Sequence, residues 1–149
     1  MLDVQAVDHV AVTVPDLDDA VSLLTDVFGA RELYRRVYAP RGDEMVTQFN
    51  AHAEARYRLA KLRLGGTDVE VFEYTAPDQR VEHPRNADVG GGHLGLRVPD
   101  IDAAVAALAD EPRIRVLGEI QRIEPPHPLA GRRWIYLLTS WGLQLELVS

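Results

Sequence analysis

The chain says one thing twice. Residues 9–26, HVAVTVPDLDDAVSLLTD, and residues 93–110, HLGLRVPDIDAAVAALAD, are identical at nine of eighteen positions at an offset of 84. The matches begin with His9 and His93 and run on through Val14, Pro15 and Asp16 against Val98, Pro99 and Asp100. Such a recurrence is one supersecondary unit written twice, so whatever the first half folds into, the second should fold into as well. Each copy opens on a short apolar run, HVAVTV or HLGLRV, that reads as a strand. Asp16 and Asp100 then suit helix N-caps, and Asp18, Asp19 and Asp102 suit the positive end of a helix dipole. Leu17, Ala20, Val21 and Leu24, like Ile101, Ala104, Val105 and Leu108, fall at helical spacing. Gly29 is expected to end the first helix and Pro112 to limit the second.

The later parts of the halves correspond at an offset of 76. Residues 62–74, LRLGGTDVEVFEY, face residues 138–149, LTSWGLQLELVS, pairing Leu62 with Leu138, Gly66 with Gly142 and Glu70 with Glu146. Both read as β-hairpins turning at glycine. Each half is therefore a strand, a helix and about three further strands, the first covering about residues 1–76 and the second about 88–149. A half of that size with one curved sheet leaves an apolar face uncovered, so the halves are expected to pair in a single α+β domain over 1–149.

Bulk properties narrow the chemistry. A chain of 149 residues buries roughly 70% of the surface of its unfolded form, and needs no staples. With no cysteine in the sequence, disulfides, thiolate metal sites and cysteine nucleophiles are excluded. A formal charge of −7 argues against nucleic acid or an anionic membrane as partner. The arginines at 31, 35 and 36 and at 132 and 133 read as solvated surface among acidic neighbours. No apolar run approaches the ~20 residues of a membrane span and no leader pattern stands at the N-terminus, so a cytoplasmic protein is expected.

Each half places one histidine at the start of its first strand and one glutamate within its last: His9 and Glu70, His93 and Glu146. A lone histidine or glutamate on a strand is ordinarily structural. Four at equivalent positions of a repeat are harder to explain that way, because a carboxylate on a sheet face costs several kcal/mol unless paired or metal-bound. Two imidazoles and two carboxylates suit one divalent ion of zinc, nickel, cobalt, manganese or iron, with positions left for water or substrate. Glu73 is one step out of phase with Glu70 and should point to the other face. His52, His83 and His127 lie in loop-like surroundings without ligand spacing and read as surface or rim residues.

With DHVAVTVPDLDDAVSLL, VEVFEY, GGHLGLRVPDIDAAV and WGLQLELVS in place, the chain resembles the vicinal oxygen chelate superfamily, which includes glyoxalase I, methylmalonyl-CoA epimerase, extradiol dioxygenases and bleomycin-binding proteins. The resemblance implies two tandem βαβββ modules forming a cupped mixed sheet around one metal, held here at His9, Glu70, His93 and Glu146. FEYTAPDQR, PRNADVGGGH and the ending WGLQLELVS are similar to the branch containing 2-epi-5-epi-valiolone epimerases. That branch implies an epimerase or isomerase acting on a small oxygenated substrate, moving an α-proton through a metal-chelated enediolate. The resemblance makes Glu146 both ligand and base, with Glu70, or Glu44 in the loop APRGDEMV, as second acid. It also implies a homodimer.

Rival readings are a glyoxalase-type lyase, an extradiol dioxygenase and a non-catalytic antibiotic binder. A fourth protein ligand would crowd the oxygen position of a dioxygenase. The binder would use Trp134, Tyr136 and Trp141 as crevice walls, although aromatic residues on late strands are more often core. The loop IEPPHPLAGRR reads as an ordinary connection, or as a lid whose Arg132 or Arg133 meets an acidic substrate.

Overall fold

A computed structural model describes residues 1–149. The chain divides into two compact units, Met1–Val81 and Glu82–Ser149. The boundary falls inside the stretch expected as a linker because residues from 82 onward bond within the second unit.

In the first unit β1 (His9–Thr13) leads to α1 (Leu17–Asp26), β2 (Arg31–Tyr38), a one-turn α2 (Glu44–Thr47), β3 (Arg56–Leu64) and β4 (Thr67–Thr75). The second unit runs β5 (His93–Arg97), α3 (Ile101–Ala107), β6 (Ile114–Arg122), β7 (Arg133–Thr139) and β8 (Gln144–Val148). Each forms its own four-stranded sheet, ordered β1-β4-β3-β2 and β5-β8-β7-β6, with the first pair parallel and the rest antiparallel. The expected α+β class and the βαβββ order are both present, the hydrogen-bonded sheets being two rather than one. No helix is long and apolar enough to cross a membrane.

Both repeated helices start as the repeated sequence requires. The Asp16 carboxylate accepts from the amides of Asp18 and Asp19 at 2.9 and 3.0 Å, and that of Asp100 from Ala103 N at 3.0 Å. Their burial differs: α1 hides Leu17, Ala20, Val21, Leu23 and Leu24, whereas α3 hides only Ile101. α1 packs on β2, β3 and β4. The core lies on alternate residues of the central strands, Ala60, Leu62, Val69 and Val71 in one unit and Ile135, Leu137, Leu145 and Leu147 in the other.

Glu73, out of phase with Glu70 as expected, does point to the helix side. Its Oε2 accepts from the first amide of α1, Leu17 N, at 2.7 Å and from Arg58 Nη2 at 2.5 Å, and Arg58 Nη1 reaches Asp18 at 2.9 Å. The Arg58 hydrogen bonds, chiefly, and the Leu17 amide hold the Glu73 carboxyl below its ordinary value. A lowered folded-state pKa adds stability above the unfolded carboxylate range, and that stability is lost as the pH falls through the folded value. Glu73→Gln is expected to cost about 1 kcal/mol at neutral pH, as for a charge-assisted bond at a partly wet site. Urea unfolding of both proteins should converge as the pH drops below that range. A difference that persists in acid would remove the carboxylate charge from the explanation.

The repeat offset of 76 fails at the hairpin turns. β3 and β4 are joined by two residues, Gly65 and Gly66, so opposed residues include Leu62 with Val69 and Lys61 with Glu70. β7 and β8 are joined by a longer turn in which Thr139 N donates to Leu143 O. Opposed residues there include Leu137 with Leu145 and Tyr136 with Glu146. The structural counterpart of Leu62 is therefore Leu137, not Leu138.

Candidate functional site

In each unit the first strand lies parallel to the last, and register brings its histidine beside its glutamate. Ala11 stands opposite Glu70 and Gly95 opposite Glu146, so a small residue leaves room for each carboxylate. His9 Nε2 is 3.6 Å from Glu70 Oε2, and His93 Nε2 is 3.4 Å from Glu146 Oε2. The four side chains are partly exposed, between 16% and 40%. Within either unit the donors form a pair, and no group of three metal-holding side chains occurs.

The far nitrogen of each ring is occupied. His9 Nδ1 lies 2.8 Å from Asp8 Oδ1 and His93 Nδ1 lies 3.0 Å from Asn86 Oδ1. With the single proton of a neutral imidazole on Nδ1, toward that oxygen acceptor, the Nε2 lone pair faces the carboxylate. Two acceptors then face each other without a proton between them. That arrangement fits a cation: two donors each about 2.1 Å from a tetrahedral ion are separated by about 3.4 Å. Carboxylate or amide support at the far nitrogen is also what ligating histidines ordinarily carry.

The two pairs differ in their third neighbour. Lys61, opposite Glu70 on β3, brings Nζ within 3.5 Å of Glu70 Oε1 and 3.7 Å of Asp68 Oδ2. Burial works against the ammonium charge of Lys61, but the bond and charge of Glu70 outweigh it and its pKa is raised. Opposite Glu146 stands Tyr136, whose ring lies edge-on to His93 at 5.2 Å and to Trp134 at 5.1 Å. Sequence reading missed Lys61, although counting back from the Gly65–Gly66 turn pairs it with Glu70. It also missed the aromatic floor on the Glu70 face, where Tyr57 stacks on Tyr38 at 5.0 Å and Phe72 on Tyr74 at 5.5 Å. α2 covers part of that floor with Met45, which is fully buried.

Glu44 is engaged otherwise than as a free acid. Its Oε2 accepts from Arg41 N and from Tyr38 Oη, both at 2.8 Å, and these bonds, the first above all, lower its pKa. It closes the turn into α2. Arg133, considered as a lid residue, instead makes a bidentate ion pair with Asp102 on α3 at 2.6 and 2.8 Å. The loop before it is closed by backbone bonds between Ile123 and residues 131 and 132, which makes it a connection. His52 and His127 accept backbone amides through Nδ1, and His83 packs on the Trp141 turn.

Comparison with known proteins gives this arrangement relatives. The family model described as Glyoxalase/Bleomycin resistance protein/Dioxygenase superfamily matches residues 8–129. A 2-epi-5-epi-valiolone epimerase from Actinomyces sp is 50% identical over 145 residues, which span 97% of this chain and 79% of that protein. Among solved structures, a glyoxalase family protein from Bacillus cereus aligns with a TM-score of 0.76 at 20% identity, covering 99% of this chain and 95% of that one. The fosfomycin resistance protein FosX from Listeria monocytogenes, solved with Mn(II) and a sulfate ion, aligns with a TM-score of 0.63 at 15% identity, covering 99% and 93%. Likeness at these identities shows the fold.

Proposed function

We propose a function from one premise: the chain belongs to the Glyoxalase/Bleomycin resistance protein/Dioxygenase superfamily and is an enzyme of its epimerase type. The substrate is 2-epi-5-epi-valiolone or a closely similar small hydroxyketone, by extension from the half-identical relative. The reaction inverts a carbon next to a carbonyl by removing its proton and returning one to the opposite side.

His9, Glu70, His93 and Glu146 would together hold one divalent ion. Such an ion supplies a Lewis acid that draws charge from the substrate oxygens and so acidifies the neighbouring carbon. Support comes from the two His–Glu pairs, one in each unit, each with an oxygen acceptor at the histidine's Nδ1 and a carboxylate oxygen beside its Nε2. The Mn(II) in FosX, a relative in fold, agrees with this reading.

Glu146 is the base that takes the α-proton. Where Glu70 is opposed by Lys61, Glu146 is opposed by Tyr136, so its electron pair is not shared with an ammonium. Glu70, 3.5 Å from Lys61, serves the return of a proton on the other side. Trp134 and Tyr136 present ring surface against which a carbocycle packs while water is excluded.

Incubation with 2-epi-5-epi-valiolone in D2O tests this. Deuterium is expected at the inverted carbon, at a rate that falls when a chelator removes the metal and recovers when one ion per chain is restored. Inversion without deuterium uptake would refute proton transfer, and full activity after exhaustive chelation would refute the metal.

A further inference from the structure

The segment between Arg85 and Gly91 is built with more care than a connection requires. Arg85 donates through Nε and Nη2 to the two carboxylate oxygens of Asp88, both at 2.8 Å, and its amide reaches the same carboxylate at 3.3 Å. The backbone doubles back as well: Asp88 N donates to Arg85 O at 2.9 Å and Gly91 N to Asp88 O at 2.8 Å. At Gly91 a Cβ would lie 1.9 Å from Arg85 O and 2.9 Å from Arg85 C. Those are backbone atoms, which cannot swing aside, so this close approach requires glycine. The loop thus fixes the position of Asn86, one residue past the Arg85 clamp.

Asn86 makes one side-chain bond, from its Oδ1 to His93 Nδ1 at 3.0 Å. On its other side His93 faces the Glu146 carboxylate at 3.4 Å from Nε2. Two acceptors therefore compete for the one proton of the neutral ring. If Glu146 wins, Nε2 carries hydrogen and cannot ligate a metal. If Asn86 wins, Nε2 keeps its lone pair.

We infer that loop 85–91 is a positioning device for His93: it holds Asn86 against Nδ1 and so sets the ring in the tautomer and orientation in which Nε2 is a donor to a cation. Asn86 is then a positioning residue, acting through His93. The inference rests on the proposal that His93 is a metal ligand. The first unit reaches the same end by other means, since His9 is supported by the adjacent Asp8.

The test has a readout that needs no metal. Nitrogen-15 correlation spectra of the imidazole rings, taken on metal-free protein, distinguish the two neutral tautomers from each other and from the doubly protonated ring. His93 is expected to carry its proton on Nδ1, and Asn86→Ala to move it wholly or partly to Nε2. Asn86 is exposed, so this variant should fold. Gly91→Ala, which touches neither ring nor carboxylate, should move the proton in the same direction, and Asn86→Asp should restore it. In parallel, zinc affinity measured against a competing chelator should fall roughly 10–100-fold in Asn86→Ala, as for other outer supports of a ligating histidine.

Wild-type His93 protonated on Nε2, or a tautomer and zinc affinity both untouched by Asn86→Ala, would overturn the inference. A tautomer that responds to Asn86 in a protein that holds no zinc would uphold the device and refute the metal reading instead.

Discussion

Glu146→Gln is expected to slow deuterium exchange and inversion by ~10²–10⁴-fold, the contribution of one positioned base, while leaving the folded structure intact. Glutamine keeps the shape of the side chain and removes its basicity. Fold loss is not expected, because the carboxylate is partly exposed and its ion pair is with His93 Nε2 at 3.4 Å, also partly exposed. The matched control is Glu44→Gln. That carboxylate is tied to Arg41 N and Tyr38 Oη, so turnover should change by no more than a few-fold while the turn into α2 loosens. Purified variants assayed in D2O, with thermal melts in parallel, separate the outcomes. A fall of less than tenfold for Glu146→Gln would remove that residue from the proton transfer. A larger fall for Glu44→Gln than for Glu146→Gln would reverse the assignment.

The second large effect concerns stability. Leu62→Ala and Leu137→Ala should each cost about 2–5 kcal/mol, because both side chains are fully buried and truncation leaves a cavity that the sheet cannot close. At roughly 2–4 °C per kcal/mol for a chain of this size, melting should fall by about 10 °C. Leu138→Ala should cost under about 1 kcal/mol, since Leu138 is only partly buried and opposes Gln144. Denaturant unfolding of the three variants checks this. If Leu138→Ala were as damaging as Leu137→Ala, the register of the second hairpin would be wrong.

Much of the architecture was legible because it rests on local rules. Asp16 and Asp100 cap their helices as their side chains dictate, and the alternation around Val69, Glu70 and Val71 separates core from site by strand geometry alone. The His–Glu pairing was legible for another reason: a repeated polar residue in an apolar strand stands out against its surroundings. What escaped was set by long-range packing. Met45 gives no sign in the sequence that it is the buried residue of a one-turn helix, clustered with Tyr57 and Leu59. Arg133 looked available until Asp102, 31 residues earlier, turned out to hold it. Asn86 sits in a stretch of turn-forming residues whose ordinary reading is a linker, and only the folded backbone shows that stretch closing at Gly91.

One further consequence follows from the unequal hairpin turns. The two halves share ancestry visible as letters, yet letters drift out of step where one turn carries an extra residue. Aligned by spacing, Lys61 falls on Leu137, an apolar residue facing the opposite side of its sheet. Aligned by opposition across the hairpin, it falls on Tyr136. What the duplication transmitted is adjacency, not distance along the chain. A single inserted residue was therefore enough to hide, from any comparison of the halves as text, that the same structural address holds an ammonium in one and a phenol in the other.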